Sequence, residues 1–146
     1  MYVREAEQRD LPELLELYSY LHETTVPRVD EALEAIWNGI LGDLNHHIIV
    51  ACSDETLISS CVLVIVPNLT RGQRPYALIE NVVTRPEHRG QGCATAVLNY
   101  ARQLAADERC YKIMLMTGSK EDSTLRLYEC AGYNRTDKTA FVQWLW

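Results

Sequence analysis

The chain has 146 residues, of which 47% are apolar and 23% charged, and a formal net charge of −6. That length fits one domain, able to bury about two-thirds of the surface of its unfolded chain. The acidic balance and the lack of a Lys/Arg cluster argue against a nucleic-acid partner, and no apolar stretch approaches the roughly 20 residues that span a bilayer. The opening Met1-Tyr2-Val3-Arg4-Glu5 is too charged for a secretory leader, so the cytoplasm is the expected location. Five cysteines, Cys52, Cys61, Cys93, Cys110 and Cys130, are an odd number without a CxxC pair. They read as reduced thiols rather than a disulfide framework or a zinc site.

Taken in chain order, Tyr2 to Ala6 reads as a short strand. Asp10-Leu11-Pro12-Glu13 opens a helix, with Asp10 as cap, Pro12 in the first turn and Glu13 as the acid of a capping box. Its buried stripe is Leu11, Leu14, Leu15, Tyr18 and Leu21. A second helix is expected from Asp30 to Leu41, with Gly42 past its end. His47 to Cys52 and Leu57 to Val66 are β-rich runs split by Ser53-Asp54-Glu55-Thr56, a hairpin pattern. After a polar loop, Ala77 to Thr84 is a strand ended by Pro86. A helix then runs from about Gly92 to Ala106, followed by a strand from Tyr111 to Thr117. A last helix spans Ser123 to Ala131 and stops at Gly132, and two short strands are expected within Tyr133 to Trp146. This order implies an α/β or α+β sheet covered by helices on both faces, in one domain.

The segment richest in chemistry runs from Ile79 to Ala94 and joins a strand, a turn with two glycines and a helix start. A helix N-terminus offers unpaired N–H groups and partial positive charge, so it binds phosphate. Glycine at 90 and 92 allows unusual backbone angles and removes side chains that obstruct a pyrophosphate. A P-loop needs Lys and then Ser or Thr after its last glycine, whereas Cys93 and Ala94 follow Gly92. A dinucleotide fingerprint needs repeated parallel βαβ units and a small residue at 95, where Thr95 stands.

Arg89-Gly90-Gln91-Gly92-Cys93-Ala94 resembles the Arg/Gln-x-x-Gly-x-Gly/Ala motif of the GNAT superfamily of acetyltransferases. Tyr128-Glu129-Cys130-Ala131-Gly132-Tyr133 is similar to that family's Tyr-x-x-x-Gly-Phe/Tyr element, and the element order agrees over nearly the whole chain. The resemblance implies a mostly antiparallel mixed sheet with one splayed parallel pair. It implies acetyl-CoA as cosubstrate, its pyrophosphate on the amides of Arg89, Gly90, Gln91, Gly92, Cys93 and Ala94. The pantetheine arm is expected to pair like an added strand with Val82, Val83 and Thr84. Tyr128 is the implied proton donor to the departing thiolate.

An ammonium must lose a proton before it attacks a thioester, so a base is needed, and Glu80 is the candidate. Strand alternation places Glu80 and Val82 on one face, Asn81 and Val83 on the other. Asn81 is a candidate contact to acceptor or water. The loop from Thr117 to Asp122 lacks the Asn that many family members place there, which leaves Ser119 as the candidate cofactor contact and Ser123 as a helix N-cap. His46 and His47 have no ligand partners in a metal pattern, and no metal is expected. Cys93 lacks a His–acid partnership and is assigned no catalysis.

Cys110 to Ile113 and Ile79 to Val83 look like the corresponding strands of glucosamine-6-phosphate N-acetyltransferases, and Arg71 and Arg74 are candidates to bind an anionic acceptor. The leading expectation is transfer to a small-molecule primary amine. A protein lysine or N-terminus as acceptor, and a non-catalytic acyl-CoA sensor, are the alternatives. The alternating apolar run Phe141 to Trp146 points to a homodimer formed through the C-terminal strands.

Overall fold

The computed structural model describes residues 1–22 and 25–146. In chain order, β1 is Tyr2–Glu5, α1 Leu11–Tyr18, α2 Glu31–Gly42, β2 His46–Ser53 and β3 Thr56–Val66. They are followed by β4 Tyr76–Thr84, α3 Cys93–Asp107, β5 Ile113–Leu115 and α4 Asp122–Cys130. The strands form one sheet in the order β1-β2-β3-β4-β5. The first three pairings are antiparallel and β4-β5 is parallel.

Two apolar layers sandwich the sheet. On one face Ile49, Ala51, Ile58, Cys61, Leu63, Ala77 and Ile79 pack against Val97, Leu98 and Ala101 of α3. On the other, Ile48, Val50, Leu57 and Val62 meet Leu14 and Leu17 of α1 and Trp37 of α2. Because both faces are covered, β2 and β3 are continuous apolar runs instead of alternating ones. The β2-β3 connection is a tight turn in which Asp54 takes a positive φ of 54°, a conformation Asp tolerates.

The first helix starts differently from the expected capping box. The Asp10 carboxylate accepts the Glu7 amide at 2.7 Å and binds the Arg4 guanidinium, closing a 3-10 turn over Gln8–Asp10 ahead of α1. It makes no cap bond to α1. The Glu13 carboxylate instead accepts the Leu57 amide at 2.7 Å, tying α1 to the start of β3. Asp30, expected as the first residue of the second helix, is instead the N-cap of α2 and accepts the Leu33 amide at 2.9 Å.

The C-terminal end departs most from expectation. No strand follows β5, and residues 133–146 have no regular secondary structure. Phe141 to Trp146 have the alternation of a strand, but a strand also needs a ladder partner for its N–H and C=O groups. Among the described residues the segment has none.

Candidate active site

The site arises from a defect in strand pairing. Ser60 pairs with Val83 and Val62 with Glu80, so Asn81 and Val82 together stand opposite one β3 residue, Cys61. Asn81 has φ 51°. One extra residue with a left-handed conformation makes a β-bulge, and Asn is among the few non-glycine residues that adopt it readily. The bulge overturns the expected alternation. Glu80 pairs with Val62 on the α1/α2 face, whereas Val82 packs into the α3-side core. Asn81 is exposed, and Val83 is buried on the α1/α2 side.

The bulge also parts the parallel pair. Ladder partners between β4 and β5 run only from Ala77↔Ile113 to Ile79↔Leu115. Beyond them β4 continues through Val82, Val83 and Thr84 with no strand of the described residues on its β5 side. There a groove of about 490 Å³ opens, lined among others by Val82, Val83, Thr84, Arg89, Gly90, Gly92, Cys93, Ala94 and Tyr128.

The turn into α3 explains its glycines. Gly90 and Gly92 have φ of 71° and 81°, values at which a Cβ is strained. Gly92 is the N-cap of the 15-residue α3. The first amides of a helix this long have no intrahelical acceptor, so they and the helix dipole suit an anion at this end of the groove. Arg89 holds the turn to β4 through Nε, which donates to the Thr84 carbonyl at 3.2 Å. Gln91 points back along the turn, donating to the Glu87 carbonyl. Cys93 is buried, and its thiol lies 3.5 Å from the His88 carbonyl, so it packs beneath the cradle. The residues present therefore fit a pyrophosphate at α3 and an extended arm along Val82 to Thr84.

Tyr128 comes from α4 and stands at the groove wall, its ring edge-on to Tyr133 at 6.3 Å. Burial raises its phenol pKa, and the Glu80 charge pushes the same way, so the hydroxyl stays protonated across the neutral range. Glu80 is exposed and does not line the groove, but its charge reaches the Tyr128 phenol.

Three predicted residues lie elsewhere. Arg71 and Arg74 precede β4, and the six-residue step from Tyr76 to Val82 separates them from the groove by about 20 Å. The Arg74 guanidinium donates to the Arg109 and Cys110 carbonyls, and that of Arg71 lies 5.6 Å over the Tyr111 ring. Ser119 does not line the groove; its hydroxyl accepts the Glu121 amide. Ser123 is the second residue of α4 rather than its cap, which is Glu121, and Ser123 and Thr124 line the groove instead.

The sequence reading also missed Tyr18, Ser60, Tyr20 and Leu21. Among the described residues, the buried Tyr18 and Ser60 hydroxyls have no partner within hydrogen-bonding geometry. Burial pushes the Tyr18 phenol up to about 12, with the Ser60 and Asn81 side chains pulling it down. Tyr18 therefore sits beside the bulge. Tyr20 and Leu21, just past α1, close the groove from the other side. Helical spacing marks Tyr18 as a core residue, and nothing in the sequence shows that its hydroxyl ends next to a strand defect.

His47 Nδ1 is 2.9 Å from a Glu5 carboxylate oxygen, and burial lowers the His46 pKa. Among the described residues no three His, Cys, Asp or Glu gather as a metal cluster. None of their helices is long and apolar enough to cross a membrane.

A sheet with one bulged, splayed parallel pair and a helix N-terminus at its mouth defines a fold shared with solved acetyltransferases. A putative acetyltransferase from Agrobacterium tumefaciens str. C58 superposes with a TM-score of 0.90 at 35% identity, covering 99% of this chain and 100% of that one. An acetyltransferase of Trypanosoma brucei superposes with a TM-score of 0.83 at 26% identity, covering 98% of this chain and 99% of that one. Over residues 11–133 the sequence matches the acetyltransferase (GNAT) family, and the chain belongs to it. The glucosamine 6-phosphate N-acetyltransferase of Trypanosoma brucei brucei is 32% identical over 91 residues, 61% of this chain and 60% of that relative. The chain thus spans less than two-thirds of that relative's length.

Proposed function

We propose that the protein is an acetyl-CoA-dependent N-acetyltransferase of the cytoplasm that acetylates a primary amine of a small molecule by direct transfer. One observation carries this reading: a single groove joins the unpaired end of β4, the Gly90–Gly92 turn at the α3 N-terminus and Tyr128. Family membership and the glucosamine 6-phosphate relative support it.

In this reading the amides of Gly90 to Ala94 hold the pyrophosphate, and the Val82–Thr84 backbone aligns the arm. A main-chain N–H at Val82 or Val83 takes the negative charge of the carbonyl oxygen. The amine nitrogen forms its bond to the carbonyl carbon and the C–S bond breaks. Tyr128 supplies the proton to the departing sulfur, and Glu80, directly or through water, takes the proton from the amine. Tyr20, Leu21 and the Tyr18–Asn81 corner form the acceptor end. The exposed C-terminal apolar segment further supports self-association as a homodimer.

A panel of amines with a thiol reagent reporting CoA release tests the proposal, with glucosamine 6-phosphate, amino acids, polyamines, aminoglycosides and a lysine peptide as members. Turnover on a small amine is expected. Tight CoA binding with no turnover on any member points to an acyl-CoA sensor, and turnover on the peptide alone to a protein-modifying enzyme.

A further inference from the structure

The two ends of the groove come from different parts of the chain, and their spacing must be set by contacts between them. The cofactor end belongs to β4 and the turn after it, the acceptor end to Tyr20 and Leu21 past α1. With eight residues, α1 is too short to hold itself as a helix in water, so its contacts fix its place. Leu14 and Leu17 seat its apolar face on the sheet. Tyr20 and Leu21 follow it, because their amides donate to the Leu17 and Tyr18 carbonyls at 3.2 and 3.0 Å.

Arg85 stands between the two. It follows Thr84 directly, and Pro86 after it restricts its backbone to an extended form, observed at φ −51° and ψ 136°. Its amide donates to the Ile58 carbonyl at 2.9 Å, which ties it to β3. The side chain, 13% exposed, reaches α1. Nε donates to the Leu57 carbonyl at 2.7 Å, and Nη2 donates to the Glu16 carboxylate at 3.3 Å. One planar fork thus spans β3 and the last turn of α1, in a geometry that a lysine ammonium cannot reproduce. Among the described residues, no other hydrogen bond or ion pair joins residues 16–22 to β3, β4 or the turn after them. The cofactor strand, by contrast, has ties of its own. Ser59 Oγ donates to the Val83 carbonyl at 2.9 Å, and Arg89 Nε to that of Thr84.

We propose that Arg85 is a positioning residue for the amine acceptor: its guanidinium fixes the last turn of α1, and Tyr20 and Leu21 with it, at a set distance from the cofactor strand. The proposal rests on the transferase reading of the groove given above. Arg85 does not line the groove, so it touches neither substrate and acts through Glu16 and the turn beyond it. It therefore governs how the amine is held and not how tightly CoA binds. Transfer depends on ångström-scale placement of the amine against the thioester, so a loosened turn weakens productive amine binding.

The test compares Arg85→Gln, Glu16→Gln and the double variant with the parent chain, using the most active amine of the panel. Arg85→Gln should raise KM for the amine about tenfold, with the CoA dissociation constant from calorimetry unchanged. Glu16→Gln should raise it about threefold, as fits a partly exposed ion pair. The double variant should match Arg85→Gln alone, since both residues act through one link. Amide hydrogen exchange read by mass spectrometry should quicken in the peptide carrying Tyr20 and Leu21 and stay constant in β4. An amine KM equal to the parent's, or a rise matched by an equal loss of CoA affinity, overturns the proposal. So do single effects that add in the double variant. If Arg85→Gln fails to fold, Glu16→Gln decides by itself, because its carboxylate is exposed, and an unaltered KM then overturns the proposal. A parent chain that turns over no amine sinks the transferase reading instead. Exchange then decides the role of Arg85, and equal rates in parent and variants overturn it.

Discussion

Glu80 and Val82 lie two residues apart on β4 yet belong to opposite faces of the sheet, because Asn81 between them adopts φ 51° and adds one residue to the strand. Regular alternation would have put both on one side. The bulge is what turns a packed sheet into one with a slot, since β4 and β5 stop pairing at Ile79 and Leu115, just before it.

Asn81 is therefore expected to tolerate glycine and to reject β-branched residues. Asn81→Val should cost about 1–2 kcal/mol, because a left-handed conformation crowds its Cβ against the backbone. Thermal denaturation should show this as a fall of about 3–8 °C. Asn81→Gly should lie within about 1 kcal/mol of the parent. Equal losses for the two would mean that the bulge does not depend on the backbone angle.

Gly92→Ala separates stability from ligand binding. A Cβ at 92 meets no protein atom within 4 Å, but it carries the strain of φ 81° and enters the groove. Stability should drop by about 1 kcal/mol. Affinity for CoA by calorimetry should fall about tenfold or more, which corresponds to about 1.4 kcal/mol. An unchanged affinity would move the pyrophosphate away from this turn.

Tyr128→Phe removes the hydroxyl and keeps the ring contact with Tyr133. The rate constant for turnover should fall about 10²–10⁴-fold, the range for loss of a general acid, with CoA affinity preserved. Unaltered turnover would take the proton-donor role from this residue.

The Arg4–Asp10 pair sets a pH dependence of stability. Burial pushes the Asp10 pKa up, but the Arg4 hydrogen bond, the Glu7 amide and the charges of Arg4 and Arg9 outweigh it, leaving a lowered value. A carboxylate depressed in the folded state adds stability that is complete above its unfolded value near ~3.9. That stability disappears as pH falls through the lower folded value. Asp10→Asn should thus cost about 1–3 kcal/mol at neutral pH, and the gap to the parent should close below about pH 4. Urea denaturation across that range checks it, and a gap that persists in acid would contradict the assignment.

Tyr18→Phe probes the polar corner beside the bulge. Its buried hydroxyl has no hydrogen-bond partner among the described residues, so its removal should leave stability unchanged or raise it by about 1 kcal/mol. The KM for the amine should rise while CoA affinity stays constant. A large loss of stability would show that the hydroxyl is bonded within the fold.

The sequence by itself determined what depends on neighbouring residues. The paired apolar runs of β2 and β3 around a polar turn, the stripe of α3 and the glycines before it are local patterns, and the structure contains each of them. So is the resemblance that ties Arg89 to Ala94 and Tyr128 to Tyr133 to one family. The bulge at Asn81 was not legible, because it is a mismatch in register between two strands and neither strand shows it alone. The placement of Arg71, Arg74 and Ser119 outside the groove, and of Tyr18, Ser123 and Thr124 at or beside it, follows from how β4, α1 and α4 pack. The C-terminal run shows the limit most clearly: side-chain alternation specifies that a strand is possible, but only a free edge within reach of its backbone decides whether and where it forms.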